Sequence, residues 1–302
     1  MYRFACFVSG VTIAVMVAIN GNLTGYYGVY TATVIIHLAG LLFLFLALKA
    51  RRQRLFPACK IPAWMYLGGV IGILTTLFNN FAFGKISMTG LVALSLFGET
   101  VTALTIDVTG LFGMQKRRMK PRVLVGLVFS LAGILLMLRQ ARGAALYAVL
   151  VSIGAGVTVV LSRTVNARLS GYTGEMRSSF INHLTGLGAS GLVLALAGRS
   201  ELAALSALPQ APWWAYLGGV MGALVVMLCN ATVPRVPAFE VTLLTFVGQV
   251  FTGIGIDVLA RRSWSSDTFI GGLLIAAGIA VNLLWERAAA AKSEKAKTRT
   301  GD

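Results

Sequence analysis

Trp64-Met65-Tyr66-Leu67-Gly68-Gly69-Val70 returns 150 residues later as Trp214-Ala215-Tyr216-Leu217-Gly218-Gly219-Val220, and that return decides how the chain is read. Asn80, Gly98, Thr102 and Asp107 keep the same offset to Asn230, Gly248, Thr252 and Asp257. Nearer the start, Asn20, Leu23, Gly25, Tyr26, Gly28, His37, Leu38 and Gly40 are matched at an offset of 146 by Asn166, Leu169, Gly171, Tyr172, Gly174, His183, Leu184 and Gly186. Self-similarity at a steady offset is the mark of an internal duplication. The chain reads as a first repeat over 1–140, a second over 141–287 and a basic tail over 288–302.

What each repeat contains follows from composition. Hydrophobic residues make up 57% of the 302 and charged residues only 12%, against roughly 25% charged in a soluble protein. The mean hydropathy is +0.81, which excludes a water-soluble globule. A membrane crossing needs about 20 apolar residues. Apolar segments run over 4–23, 30–48, 61–83, 87–112 and 122–138 in the first repeat, and over 144–162, 178–197, 213–233, 238–260 and 268–285 in the second. They read as helices, because lipid supplies no partner for backbone groups and the alternation of a barrel strand is absent. The seven prolines fall in loops or at segment starts, where their missing N–H is harmless. Three cysteines, Cys6, Cys59 and Cys229, without CxxC spacing, make neither a disulfide framework nor a metal knuckle. The first segment has no cleavage pattern and recurs in the repeat, so it reads as a retained helix. The fold expected is an all-α integral membrane protein of ten transmembrane helices.

Five helices per repeat is an odd number, so the second repeat should enter the membrane upside down. With the N-terminus inside, 20 of the 26 Lys and Arg residues fall on cytoplasmic segments, Arg163 among them, and 6 on outer ones. Basic residues in short loops are biased to the cytoplasm, and matched apolar sequence with opposite loop charge is what an inverted duplication predicts. Both termini are then cytoplasmic. The net charge of +16 is a topology signal and points to no nucleic acid. The Ala/Lys/Arg-rich tail reads as disordered.

Glu99 lies near the centre of the fourth segment, where an ionisable group costs roughly 2.5 to 3.5 kcal/mol. Something must offset that cost, either a proton or cation site facing a cavity or a structural hydrogen bond. Its counterpart in the second repeat is Gln249, which keeps the shape and discards the charge. Asp107 and Asp257 occupy matched positions and suit interhelical polar contacts, with lining of the pathway as the other role. His37 and His183 also match, and read as interhelical histidines or as a proton relay. Asn20, Asn80 and Asn230 offer amides to substrate or to neighbouring helices, as do Asn22, Asn79, Asn166 and Asn182. Trp64, Trp213, Trp214, Trp264 and Trp285 sit at segment edges, where aromatic belts lie. Met16, Tyr26, Phe78, Phe81, Phe97 and Phe246 are candidates for an apolar or cation-π wall. No HExxH, GxSxG or Walker loop occurs, which leaves no catalytic constellation, no cofactor and no ATP-binding domain to place.

The ten-segment duplication, Met88-Thr89-Gly90-Leu91-Val92-Ala93-Leu94 and the Gly-rich third and eighth segments resemble the drug/metabolite transporter superfamily. Within it, Asn20-Gly21-Asn22-Leu23, His37-Leu38-Ala39-Gly40, Trp64 to Gly69 and their echoes resemble the YdcZ-like branch of inner-membrane exporters. The resemblance implies a fold, a transport class and a place in a bacterial inner membrane, and supplies no ligand. The function expected is proton-coupled export, by alternating access, of a small cationic or amphipathic metabolite or drug. The partners are then that substrate, the bilayer and protons or another coupling ion, in a monomer or homodimer. A passive channel or a non-transporting scaffold is the other reading.

Overall fold

In the computed structural model, residues 2–57, 60–113, 128–129, 131–136, 144–204, 210–232 and 238–259 are described, with scattered positions between 270 and 288. The long helices described are α1 (Tyr2–Tyr27), α2 (Val29–Ala50), α3 (Leu67–Ala82), α4 (Met88–Thr109), α5 (Ala144–Thr173), α6 (Glu175–Ala197), α7 (Leu217–Thr232) and α8 (Ala238–Leu259), with a short helix, Arg199–Ala204, after α6. The Trp-x-Tyr-Leu-Gly-Gly motif builds one entry twice, as a 3-10 turn at Ala63–Tyr66 leading into α3 and another at Trp213–Tyr216 leading into α7. Seven helices among the described residues are long and apolar enough to cross a membrane. Among the described residues no strand forms beyond a single bridge, Phe83 to Ile86. The protein is an all-α membrane protein. The fifth and tenth segments are helical where described, and the rest of both, with Cys59, Trp264 and the basic tail, lies outside the described residues.

Two boundaries differ from those read in the sequence. The sixth segment continues past 162 to Thr173, and the seventh begins at Glu175 instead of 178. The extension is polar in sequence but buried in space: Val165, Asn166 and Leu169 are each at most 3% exposed. Asn166 donates to Asn182 Oδ1 at 2.7 Å and its carbonyl accepts from Ser178 Oγ at 3.0 Å. Polar side chains satisfied by a neighbouring helix do not end a membrane helix.

The turns between α1 and α2 and between α5 and α6 are single residues, Gly28 (φ 81, ψ 173) and Gly174 (φ 82, ψ 164). That backbone region is closed to residues with a Cβ, which explains why both repeats keep glycine there. The outer face of α2 exposes Leu38, Leu42 and Leu46, four residues apart, while Ile36, His37, Gly40 and Leu44 on the other side are buried. An exposed leucine stripe suits lipid and not water.

The most extensive helix contacts cross between the repeats: α1 against α8 and α7, α5 against α4 and α3, and α2 against α6. These contacts are reciprocal, since α1 meets α7 and α8 as α5 meets α3 and α4. Glycine makes the closest ones. A Cβ on Gly10 would run into the Thr245 carbonyl, and one on its counterpart Gly156 into the Ser95 carbonyl. Among the described residues, each of the larger core clusters draws side chains from both repeats.

Candidate functional site

A cavity of about 120 Å³ opens between the repeats, lined from α1, α3, α4, α5, α7 and α8. One water needs roughly 10 to 15 Å³ by that measure, so the space suits a small solute. Its lining repeats the duplication. Six matched pairs contribute both members: Ile13 and Val159, Met16 and Ser162, Val17 and Arg163, Thr75 and Val225, Asn79 and Cys229, Glu99 and Gln249. The first pair is apolar on both sides. In the other five the more polar member always stands on α3, α4 or α5, and its partner on α1, α7 or α8. The cavity therefore has a polar wall and a less polar one.

Glu99 and Arg163 face each other on the polar wall, with Oε2 to Nη1 at 3.5 Å. A closed charge-assisted hydrogen bond measures roughly 2.7 to 2.9 Å, so the pair is loose. The two side chains remain 13% and 26% exposed. The reading of Arg163 as a cytoplasmic loop charge is overturned: α5 carries it ten residues before its end at Thr173, about 15 Å up the helix. Sequence reasoning missed Arg163 because the charge itself appeared to end the apolar run. The matched position of Val17 inside the first segment was the available signal.

A model for the family described as "Putative inner membrane exporter, YdcZ" matches residues 1–136 and 147–281, one stretch on each repeat. The chain belongs to the YdcZ family. It is a multi-pass inner-membrane protein of an exporter family. No curated protein matches it. A solved structure described only as "Crystal structure of protein" is similar at 16% identity, with a TM-score of 0.59 over 95% of this chain and 97% of that one, a likeness of fold.

In this YdcZ protein the remaining candidates divide by place. Gln249 and Asn230 line the cavity, and the Asn230 amide also donates to the Glu175 carbonyl at 3.3 Å. Asn20, Asn80, His37, His183 and Asp257 lie elsewhere. Asn20 is buried with its oxygen against Gly218, as Asn166 sets its own against Gly68. Asn80 donates to Thr33 Oγ1 at 3.4 Å.

His37 and His183 meet where α2 crosses α6, ring centroids 5.8 Å apart. Each Nδ1 stands 2.9 Å from the carbonyl four residues earlier, Thr33 and Ser179. A carbonyl only accepts, so each Nδ1 carries its proton. Each ring lies over the glycine of the other helix, His37 on Gly186 and His183 on Gly40. That exchange explains why the histidine and the glycine three residues on are duplicated together.

Asp257 reaches across to the start of α4. Its carboxylate accepts from Met88 N at 2.7 Å, Thr89 N at 2.8 Å and Thr89 Oγ1 at 2.7 Å, while Ser87 Oγ takes the Gly90 N–H. The free N–H groups that open a helix are thereby satisfied. Asp107 belongs to α4, and its side chain lies outside the described residues.

The aromatic wall expected for the site is not in the lining. Phe78, Phe81 and Phe97 pack against the core cluster that contains Phe246, Tyr26 packs against another, and of that group Met16 alone lines the cavity. Trp64, Trp213 and Trp214 are exposed at the entries to α3 and α7, as interface anchors are.

Proposed function

We propose that the protein is a secondary exporter working by alternating access. Its ten helices form two repeats of opposite orientation, with both termini in the cytoplasm. The substrate occupies the cavity between the repeats, where a cationic group and a proton compete for Glu99. The observation that carries the reading is that matched positions of both repeats line one cavity and that its acid survives in one repeat only, as Glu99 opposite Gln249. A cavity at a repeat interface is where inverted-repeat transporters bind, and an acid inside the membrane marks a pathway or relay. The loop-charge bias supports the inverted orientation. The reciprocal crossings supply two equivalent sets of contacts, so that rocking one repeat against the other exchanges one opening for its mirror.

Counterflow tests the carrier against a passive channel. Proteoliposomes are loaded with unlabelled bacterial metabolite extract and diluted into trace 13C-labelled extract, and lumenal labelled species are followed by mass spectrometry. At least one species should overshoot with the wild type and fail to do so with Glu99→Gln. Monotonic equilibration of every species, or an overshoot unchanged in Glu99→Gln, contradicts the proposal.

A further inference from the structure

We propose that the substrate is a zwitterion bearing an apolar group, of the chemical class of an apolar α-amino acid. Its ammonium sits on Glu99, its carboxylate on Arg163, and its apolar group on the wall made by α1, α7 and α8. The inference rests on the exporter reading for there being a substrate in this cavity, and adds to it the charge and polarity of that substrate.

Charge is the first argument. Among the described residues lining the cavity, Glu99 and Arg163 are the acid and the base, and together they are neutral. A lone cation taking Glu99 would leave the guanidinium without its counter-ion inside the membrane, and a lone anion taking Arg163 would strand the carboxylate. A proton on Glu99 carries the same cost as the lone cation, and a zwitterion displacing the proton relieves it. Breaking an ion pair by removing one partner is costly away from water. A zwitterion replaces each partner with its equivalent, so no charge is stranded and the occupied site stays neutral.

Geometry is the second. At 3.5 Å, with both side chains partly exposed, the pair is open enough for a substrate to insert without first breaking a tight contact. An ammonium has three N–H donors, more than one carboxylate need accept. On the polar wall that also carries Glu99, the side-chain oxygen of Asn79 is buried and has no hydrogen-bond partner among the described residues, and it offers the further acceptor. A guanidinium presents a fork of donors suited to a carboxylate.

The asymmetry of the duplicated positions is the third. Opposite Asn79, Glu99, Ser162 and Arg163 stand Cys229, Gln249, Met16 and Val17. Two repeats that began alike now present a polar face and a less polar one. A substrate matched to both has its charges at one end and an apolar group at the other.

The test is thermal unfolding of the purified full-length protein with three matched probe panels. The first holds leucine, valine, methionine and phenylalanine. The second holds the amines left when their carboxyl groups are removed, isopentylamine for leucine. The third holds the acids left when their amino groups are removed, 4-methylpentanoate for leucine. At least one amino acid should raise Tm by roughly 5 °C when present at a hundred times its Kd, while its amine and acid leave Tm unchanged. The shift should vanish in Glu99→Gln, in Arg163→Gln and in the uncharged double variant, whose ligand-free melting establishes that it is folded. A shift with isopentylamine that is lost in Glu99→Gln and kept in Arg163→Gln overturns the zwitterion and leaves the exporter reading standing. A shift with 4-methylpentanoate that depends on Arg163 alone does the same for an anion. Silence from the whole amino-acid panel also overturns it, and the counterflow experiment with complete extract, which presupposes no ligand class, still decides the exporter reading.

Discussion

Asp257 shows how far a residue's role depends on what lies opposite. It is 3% exposed, and its three hydrogen bonds go to Met88 and Thr89 at the start of α4. Replacing it with alanine leaves those donors without an acceptor, each at about 1 to 3 kcal/mol. Asp257→Ala should therefore lower unfolding stability by about 3 kcal/mol or more in chemical denaturation of the detergent-solubilised protein, and Asp257→Asn, which keeps an acceptor, by clearly less. Equal stability of Asp257→Ala and wild type would remove the capping role. The sequence showed that this acid was duplicated and inside the ninth apolar segment; it held nothing about a partner about 170 residues away. Glu99 was legible, because a charge in the middle of an apolar run is visible without a structure. Arg163 was not, because a basic residue at the edge of such a run reads as a loop charge until the buried residues beyond it are known to be helical.

Among the elements, Gly28 and Gly174 were visible as a duplicated pair, but the one-residue turns they make between α1 and α2 and between α5 and α6 were not, since the second fell inside a stretch read as a loop. Their backbone angles supply the reason for the duplication. Gly174 gives the cleaner test, since nothing lies within 4 Å of where its Cβ would be, so only backbone conformation changes. Gly174→Ala should cost about 1 to 3 kcal/mol, measured by the same unfolding. Gly188→Ala on α6, where a Cβ also meets open space within a helix, should instead stabilise by about 0.5 to 1 kcal/mol. A similar response at both sites would show that the turn does not require its positive φ. Helix existence followed from apolar length in the eight segments whose helices are described. Boundaries failed at the end of α5, where burial against another helix and not composition decides how far the helix runs.

For the whole molecule, duplication was legible and interdigitation was not. Nothing in an offset of 146 or 150 reveals that the most extensive contacts among the described helices cross between the repeats. That packing brings matched positions to one cavity, where sequence divergence between the copies becomes a difference between two walls. The proposed coupling joins export through this cavity to a proton at Glu99. Its most direct test uses proteoliposomes loaded with bacterial metabolite extract under an imposed pH gradient, acidic on the face opposite the cytoplasmic one, with metabolite efflux followed by mass spectrometry. Wild type should drive at least one metabolite out faster with the gradient than without it, and Glu99→Gln should abolish that acceleration while the purified variant still melts as a folded protein. Gradient-driven efflux undiminished in Glu99→Gln would contradict the account.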